Sequence, residues 1–119
     1  MRDFRELTVW QKSHRLSLAL YKVTASFPKE EIFGLTSQMR RCCVSIEANV
    51  AEGCGRGGDA DFARFMQIAF GSANELDCQL LLARDLGYLT EANFAKLSND
   101  LSEVKRMLAA FLKKLRANR

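Results

Sequence analysis

The stretch "FAKLSNDLSEVKRMLAAFLKKL", residues 94–115, carries the clearest structural signal in the chain. Its apolar side chains recur at alternating steps of three and four residues: Phe94, Leu97, Leu101, Val104, Leu108, Phe111 and Leu115. This spacing keeps them on one side of a helix. The stretch is therefore predicted to be a long amphipathic helix, with Thr90 before it as the N-cap.

Three earlier stretches show the same helical periodicity. The first follows Thr8, a predicted N-cap, ends before Pro28 and has the stripe Val9, Leu16, Leu20, Val23 and Phe27. The second ends at Gly53, a predicted C-terminal glycine, and has the stripe Leu35, Met39, Cys42, Ile46 and Val50. The third begins at Asp59, another predicted N-cap, ends at Gly87 and has the stripe Phe62, Phe65, Ala69, Ala73, Leu76, Leu80 and Ala83.

The links between these helices are short, and short links place neighbouring helices side by side in opposite directions. The 119 residues suffice for one domain and are too few for two. We therefore predict an all-α fold, an antiparallel up-down four-helix bundle that occupies residues 1–119 as a single domain. No apolar run approaches the ~18 residues of a membrane span, and residues 1–7 lack the apolar core of a signal peptide. We expect a cytoplasmic protein that does not enter a membrane.

The sequence offers no residue set typical of a metal or catalytic site. The four cysteines, at positions 42, 43, 54 and 78, lack the spacing of zinc ligands, and a reducing compartment favours buried thiols. His14 is the only histidine. The spacing forces no carboxylate pair together and places no nucleophile beside a base. We predict no metal, no cofactor and no enzyme activity.

Residues 53–58, Gly-Cys-Gly-Arg-Gly-Gly, formally match the phosphate-binding motif G-x-G-x-x-G. That motif binds dinucleotides where a strand precedes it, whereas a predicted helix precedes it here. The glycines are instead expected to form a helix–helix turn with positive φ angles. Arg56 in this turn either meets an anionic partner or is merely solvated.

Positive charge is concentrated near the end of the sequence. The formal net charge is +4, yet residues 105–119 contain no acid and six cations: Lys105, Arg106, Lys113, Lys114, Arg116 and Arg119. Lys105, Lys113 and Arg116 fall off the apolar stripe, so we expect them in water and free to contact phosphate. The predicted nucleic-acid-binding residues are Arg40, Arg56, Lys105, Lys113, Lys114 and Arg116. Arg40 has the alternative of pairing with a neighbouring acid.

Polar residues form a second pattern on the second and third helices. At steps of three and four, the second helix presents Gln38, Arg41, Ser45, Asn49 and Glu52, and the third presents Ser72, Glu75 and Gln79. Pairing about a turn near 57–58 would bring Arg41 level with Glu75 and Ser45 level with Ser72 or its neighbours. We define the polar seam as Arg41, Ser45, Asn49, Ser72 and Glu75. It is either a structural ladder of ion pair and hydrogen bonds or a lining that meets RNA or another subunit.

Some bulky side chains lie outside the four stripes. The first helix has a second line of residues offset from its stripe, formed by Trp10, Ser17 and Tyr21. The third helix has Ile68, Phe70 and Leu82 outside its stripe. A broad core and an interface between copies of the chain explain these residues equally well.

Several short motifs, taken together, resemble a known family. They are Leu7-Thr-Val-Trp-Gln-Lys12, Phe27-Pro28, Phe33-Gly-Leu35, Gln38-Met-Arg-Arg41, Val44-Ser-Ile46, Asn49-Val-Ala-Glu-Gly53, Gly55-Arg56, Phe65, Ile68-Ala69, Gly71-Ser72, Glu75-Leu76, Gln79 and Leu86-Gly-Tyr88. In this order they resemble the bacterial four-helix bundle proteins encoded in intervening sequences of 23S ribosomal RNA genes. Glu47 departs from the family, which often has proline there, and Cys42 and Cys43 replace residues that are commonly alanine.

The resemblance implies a four-helix bundle that assembles as a homo-oligomeric ring, typically a pentamer, with no established enzyme activity. It also implies kinship with the accessory variability proteins of diversity-generating retroelements, which bind nucleic acid and a reverse transcriptase.

Two functions remain open at this point. The first is a nucleic-acid-binding oligomer whose cations, repeated around a ring, contact RNA phosphates through shape and charge. The second is a scaffold that binds a protein partner through its helix faces, with the basic residues serving solubility alone. Binding to RNA measured against salt separates the two, because phosphate contacts weaken steeply as salt rises.

Overall fold

The computed structural model describes residues 2–117, so Met1, Asn118 and Arg119 lie outside the described range. The α-helices are α1 Thr8–Thr24, α2 Leu35–Cys54, α3 Asp59–Asp85 and α4 Glu91–Ala117. Single-turn 3-10 helices at Phe4–Glu6 and Lys29–Glu31 precede α1 and α2. Residues 2–117 contain no strand. The all-α class is confirmed, and the arrangement is consistent with a four-helix bundle.

The core is built from the predicted apolar stripes. All stripe residues of α2 and α3 are buried, and in α1 and α4 only Val23, Phe94 and Phe111 stay partly exposed. Full burial of a Leu or Phe side chain stabilises the folded state by roughly 1.5–3 kcal/mol. Since α2 packs on α1 and α3, and α4 packs on α3 and α1, the four stripes meet in one continuous core.

Two predicted N-caps lie one residue away from the observed ones. Leu7 and Gly58 cap α1 and α3 without a side-chain hydrogen bond, so Thr8 and Asp59 are the first helical residues. Asp59 still places negative charge in the first turn of α3, which complements the helix dipole. Thr90 caps α4 as predicted, since its Oγ1 accepts the backbone N–H of Asn93 at 3.0 Å.

Gly53 serves close packing and does not end α2, which continues to Cys54. A Cβ atom on Gly53 would lie 3.1 Å from the Cβ of Phe65 and 3.3 Å from Cδ1 of Phe62. The helix therefore needs glycine here because α3 approaches its backbone. The expectation of positive φ in residues 53–58 is wrong, since Gly87 alone has a positive φ among residues 2–117.

Gly87 ends α3 in a Schellman motif. Its φ is 79°, a left-handed value that favours glycine. The N–H of Gly87 donates to the carbonyl of Arg84, and the N–H of Tyr88 donates to the carbonyl of Ala83, both at 2.9 Å. These bonds satisfy the last carbonyls of the helix.

Contacts define two ends of the elongated molecule, which measures 45 × 21 × 20 Å. At the lower end, residues 2–6, 55–68 and 111–117, the N–H of Arg2 donates to the carbonyl of Cys54 at 3.1 Å. The rings of Phe62 and Phe111 lie 5.8 Å apart there. At the upper end, residues 25–35 and 84–94, the rings of Phe27 and Tyr88 lie 5.4 Å apart.

No helix within residues 2–117 combines the length and the apolar composition that crossing a membrane requires.

Candidate functional site

The centre of the polar seam is a hydrogen bond between α2 and α3. The Oγ atoms of Ser45 and Ser72 lie 2.8 Å apart. One turn further along α2, Nδ2 of Asn49 donates to the Ser45 carbonyl at 2.8 Å and to the Ser45 Oγ at 3.0 Å. These three side chains form a local ladder that holds the two helices in register.

Arg41 and Glu75 line an open cleft of about 430 Å³ beside this ladder, but they do not pair. No ion pair among residues 2–117 joins them, and Glu75 instead accepts the Nε2 of Gln79 at 3.3 Å. The predicted pair is wrong because Ser45 faces Ser72, a register that puts Arg41 level with residue 76. Glu75 is then displaced by one residue, about 100° of helix rotation.

Cys42 also lines the cleft, and its side chain is largely buried. Burial raises its pKa to about 11, and its hydrogen bond to Glu75 adds to the increase. Burial also raises the pKa of Cys43 to about 12. A thiol that stays protonated at neutral pH is a poor nucleophile. Cys54 is buried too, whereas Cys78 is exposed, so the expectation of buried thiols is wrong for Cys78.

A polar contact that the sequence did not reveal joins α1 to α2. Nδ1 of His14 lies 2.8 Å from Oε2 of Glu47, whose side chain is 16% exposed. The His14 ring stacks on Trp10 with centroids 4.8 Å apart and planes at 11°. The spacing of four residues between Trp10 and His14 predicts a shared helix face, but nothing local identifies Glu47 as the partner.

Four of the six predicted nucleic-acid-binding residues lie at the lower end: Arg56, Lys113, Lys114 and Arg116. Lys113 and Lys114 are exposed and form no ion pair within the described part of the chain. Arg116 donates from Nη2 to Oε1 of Gln67 at 3.1 Å. The Arg56 guanidinium lies 4.9 Å from the Phe65 ring centroid and 3.7 Å from Glu52. The structure therefore collects these cations on one end of the molecule.

The side chains of Arg40 and Lys105 make polar contacts within the chain. Arg40 lies toward the upper end, where Nε donates to Oγ1 of Thr24 at 3.0 Å and Nη2 to the Tyr21 carbonyl at 3.3 Å. Lys105 donates to Oδ2 of Asp77 at 3.0 Å. The expectation that Lys105 is free for phosphate is wrong, and Arg40 binds the end of α1 instead of an acid. These two residues do not belong to the lower-end group.

The bulky residues outside the stripes divide between core and surface. Ser17 is buried, and Trp10 and Phe70 are partly buried against the core. Tyr21, Ile68 and Leu82 expose 43%, 43% and 50% of their surfaces. A broad core explains the first group, and the second group leaves apolar surface available for contact.

Comparison with known proteins gives the ancestry of the chain. Residues 5–110 match the family described as 23S rRNA-intervening sequence protein. The chain belongs to this family. A crystal structure of a protein of unknown function from the S23 ribosomal protein family of Bacteroides thetaiotaomicron is 28% identical to it, with a TM-score of 0.81. That match covers 89% of this chain and 99% of the other.

No curated protein matches the chain. Membership of the intervening sequence protein family confirms the resemblance predicted from the motifs of α1, α2 and α3. The expected kinship with accessory variability proteins stays a prediction.

Proposed function

We propose that this protein is a non-enzymatic, cytoplasmic, RNA-binding member of the intervening sequence protein family. In this proposal antiparallel up-down bundles assemble into a closed homo-oligomeric ring, expected to hold five copies, and the lower ends contact RNA. Contacts between the segment before α1 and the end of α2, and between the start of α3 and the last turns of α4, support the antiparallel course.

The cations of the lower end carry the proposal. Lys113 and Lys114 extend into solvent with Arg116 on the last turns of α4. Nearby, the Arg56–Glu52 distance of 3.7 Å is long for an ion pair, and such exposed pairs contribute about 0–1 kcal/mol. These cations are therefore available to phosphate. Repetition around a ring would multiply the phosphate contacts without any new site.

The described side chains also support a role without catalysis. The pKa of Cys42 is raised by burial, and the His14 ring is engaged by Glu47 and Trp10. The buried Cys42 thiol is therefore a poor nucleophile, and among residues 2–117 no hydrogen bond joins His14 to a serine, threonine or cysteine side chain that it could activate.

Salt-dependent RNA binding tests the proposal. The triple variant Lys113→Gln, Lys114→Gln, Arg116→Gln should bind structured ribosomal RNA more weakly. Its slope of log affinity against log salt should be shallower, by about 0.7–0.9 for each lost phosphate contact. A matched control replaces Arg15, Lys22 and Lys29 by glutamine. These three residues are exposed and lie away from the lower end, so the control should keep the parental salt slope.

A protein scaffold is the second candidate, favoured by one observation. Phe33 is 95% exposed, beside Ile32 at 49%, and such apolar exposure is typical of a protein contact. If the triple variant binds RNA as tightly as the parent and with the same salt slope, the cations serve solvation and the scaffold becomes the better hypothesis.

A further inference from the structure

We propose that a groove between α3 and α4 at the lower end binds unpaired nucleotides, so that the RNA recognised there is single-stranded. This inference rests on the proposed RNA-binding function and goes further, since the cations alone would serve a duplex equally well.

The groove has an apolar floor and a polar rim. Its volume is about 560 Å³. Ala63 and Leu112 are each 6% exposed at the floor, and Ile68 stands beside them with 43% of its surface in solvent. Arg64 and Arg116 line the same groove. The groove therefore combines an exposed isoleucine with two guanidinium groups along its lining.

Both arginines contact neighbours within the chain, Arg64 through the Phe65 ring and Arg116 through Gln67. The Arg64 guanidinium lies 4.6 Å from the Phe65 ring centroid and 3.7 Å from the exposed Asp61 carboxylate. Arg116 donates one hydrogen bond to Gln67. A guanidinium carries five N–H donors on a planar group, so each retains donors and a flat face. Restraint in the free protein reduces the ordering that binding requires.

The chemistry of the groove fits a nucleobase with its phosphate. The flat apolar face of a base can cover Ile68 and Leu112, while the attached phosphates meet Arg64, Arg116 and the exposed Lys113 one turn before it. In a duplex the bases are stacked on each other and present only their edges. A duplex would therefore leave the apolar floor in water, and only an unpaired strand uses both parts of the groove.

Three RNA probes of equal length, about 12 nucleotides, separate base contact from phosphate contact. The probes are oligouridylate, an abasic strand with the same phosphates, and a duplex, titrated by fluorescence anisotropy against the full chain. Oligouridylate should bind about fivefold more tightly than either comparator, because covering the exposed part of Ile68 with a base removes a small apolar surface from water. Ile68→Ser should remove most of this preference and leave the affinity for the abasic strand unchanged.

Two further variants complete the test. Ile68→Ala, which keeps high helix propensity, should also reduce the preference, so the outcome does not depend on tolerance of serine. Leu18→Ser alters a residue 61% exposed on α1 and should keep the parental preference. Equal, salt-sensitive binding of the abasic strand or the duplex would overturn the inference and leave the proposed function standing. Failure of every probe to bind would overturn both.

Discussion

At the scale of single residues, the cysteines differ sharply in their surroundings. Cys78 is exposed, while Cys42, Cys43 and Cys54 are buried and burial raises the pKa of each. We expect a thiol reagent at pH ~7.5 to modify one thiol per native chain quickly. The others should react at least about 100-fold more slowly, because their thiolate populations are small and shielded. Cys78→Ser should abolish the fast phase, and a second fast equivalent would contradict the prediction.

Two glycines inside helices should respond to alanine in opposite ways. Gly53→Ala places a Cβ atom 3.1 Å from the Cβ of Phe65, and such overpacking typically costs about 1–3 kcal/mol. Gly71 is exposed, and a Cβ atom added to it would have no neighbouring side chain within 4 Å. Gly71→Ala should therefore stabilise the fold by about 0.5–1 kcal/mol through helix propensity. Urea denaturation of both variants checks the signs, and a stabilised Gly53→Ala would refute the close-packing role.

At the scale of helix pairs, the His14–Glu47 contact should show measurable coupling. The Glu47 side chain is 16% exposed and lies 2.8 Å from His14, so removing either partner affects the other. Single and double alanine variants should give a coupling energy of about 0.5–1.5 kcal/mol.

The same cycle applied to Arg41 and Glu75 supplies the control. These residues share a cleft without pairing, so their effects on thermal unfolding should add to within about 0.5 kcal/mol. Strong coupling between them would show that a pair forms in solution after all.

The helices could be predicted from the sequence because burial acts on every third or fourth residue. The stripe from Leu35 to Val50, for example, identifies the face of the helix that packs into the core, although it does not identify the helix on which that face packs. Helix ends are less well determined, since Leu7 and Gly58 cap through backbone geometry and leave no side-chain signal. The role of Gly53 depends on Phe65 of another helix, which periodicity does not identify.

The contacts of each cation were harder to predict, because periodicity does not identify a partner on another helix. Periodicity places Lys105 off the core stripe, but Asp77, its partner, lies 28 residues away in sequence. Arg40 likewise meets Thr24, 16 residues away. Lys113 and Arg116 are exposed as expected, because exposure follows from helical periodicity without identifying any partner.

At the scale of the whole molecule, the assembly is the main prediction. Exposed Tyr21 and Leu82 offer apolar surface that a partner copy would cover. Light scattering at micromolar concentration should give a mass several times the 13.4 kDa of one chain, with five copies expected. Leu82→Lys should lower the mass, whereas the exposed polar change Lys22→Gln should not. A parental mass near 13.4 kDa would end the proposal of a ring.

The contrast between the two ends gives the molecule the character of an amphiphile. The upper end exposes the apolar side chains of Ile32, Phe33 and Leu86, and the lower end exposes Lys113 and Lys114. A cation-exchange resin should bind the lower end of the molecule, whereas a phenyl resin at high salt should bind the upper end. Salt loosens the first attachment by screening and strengthens the second by favouring apolar contact. Ionic strength would thus determine the orientation in which the protein binds to a surface that carries both negative charge and apolar groups.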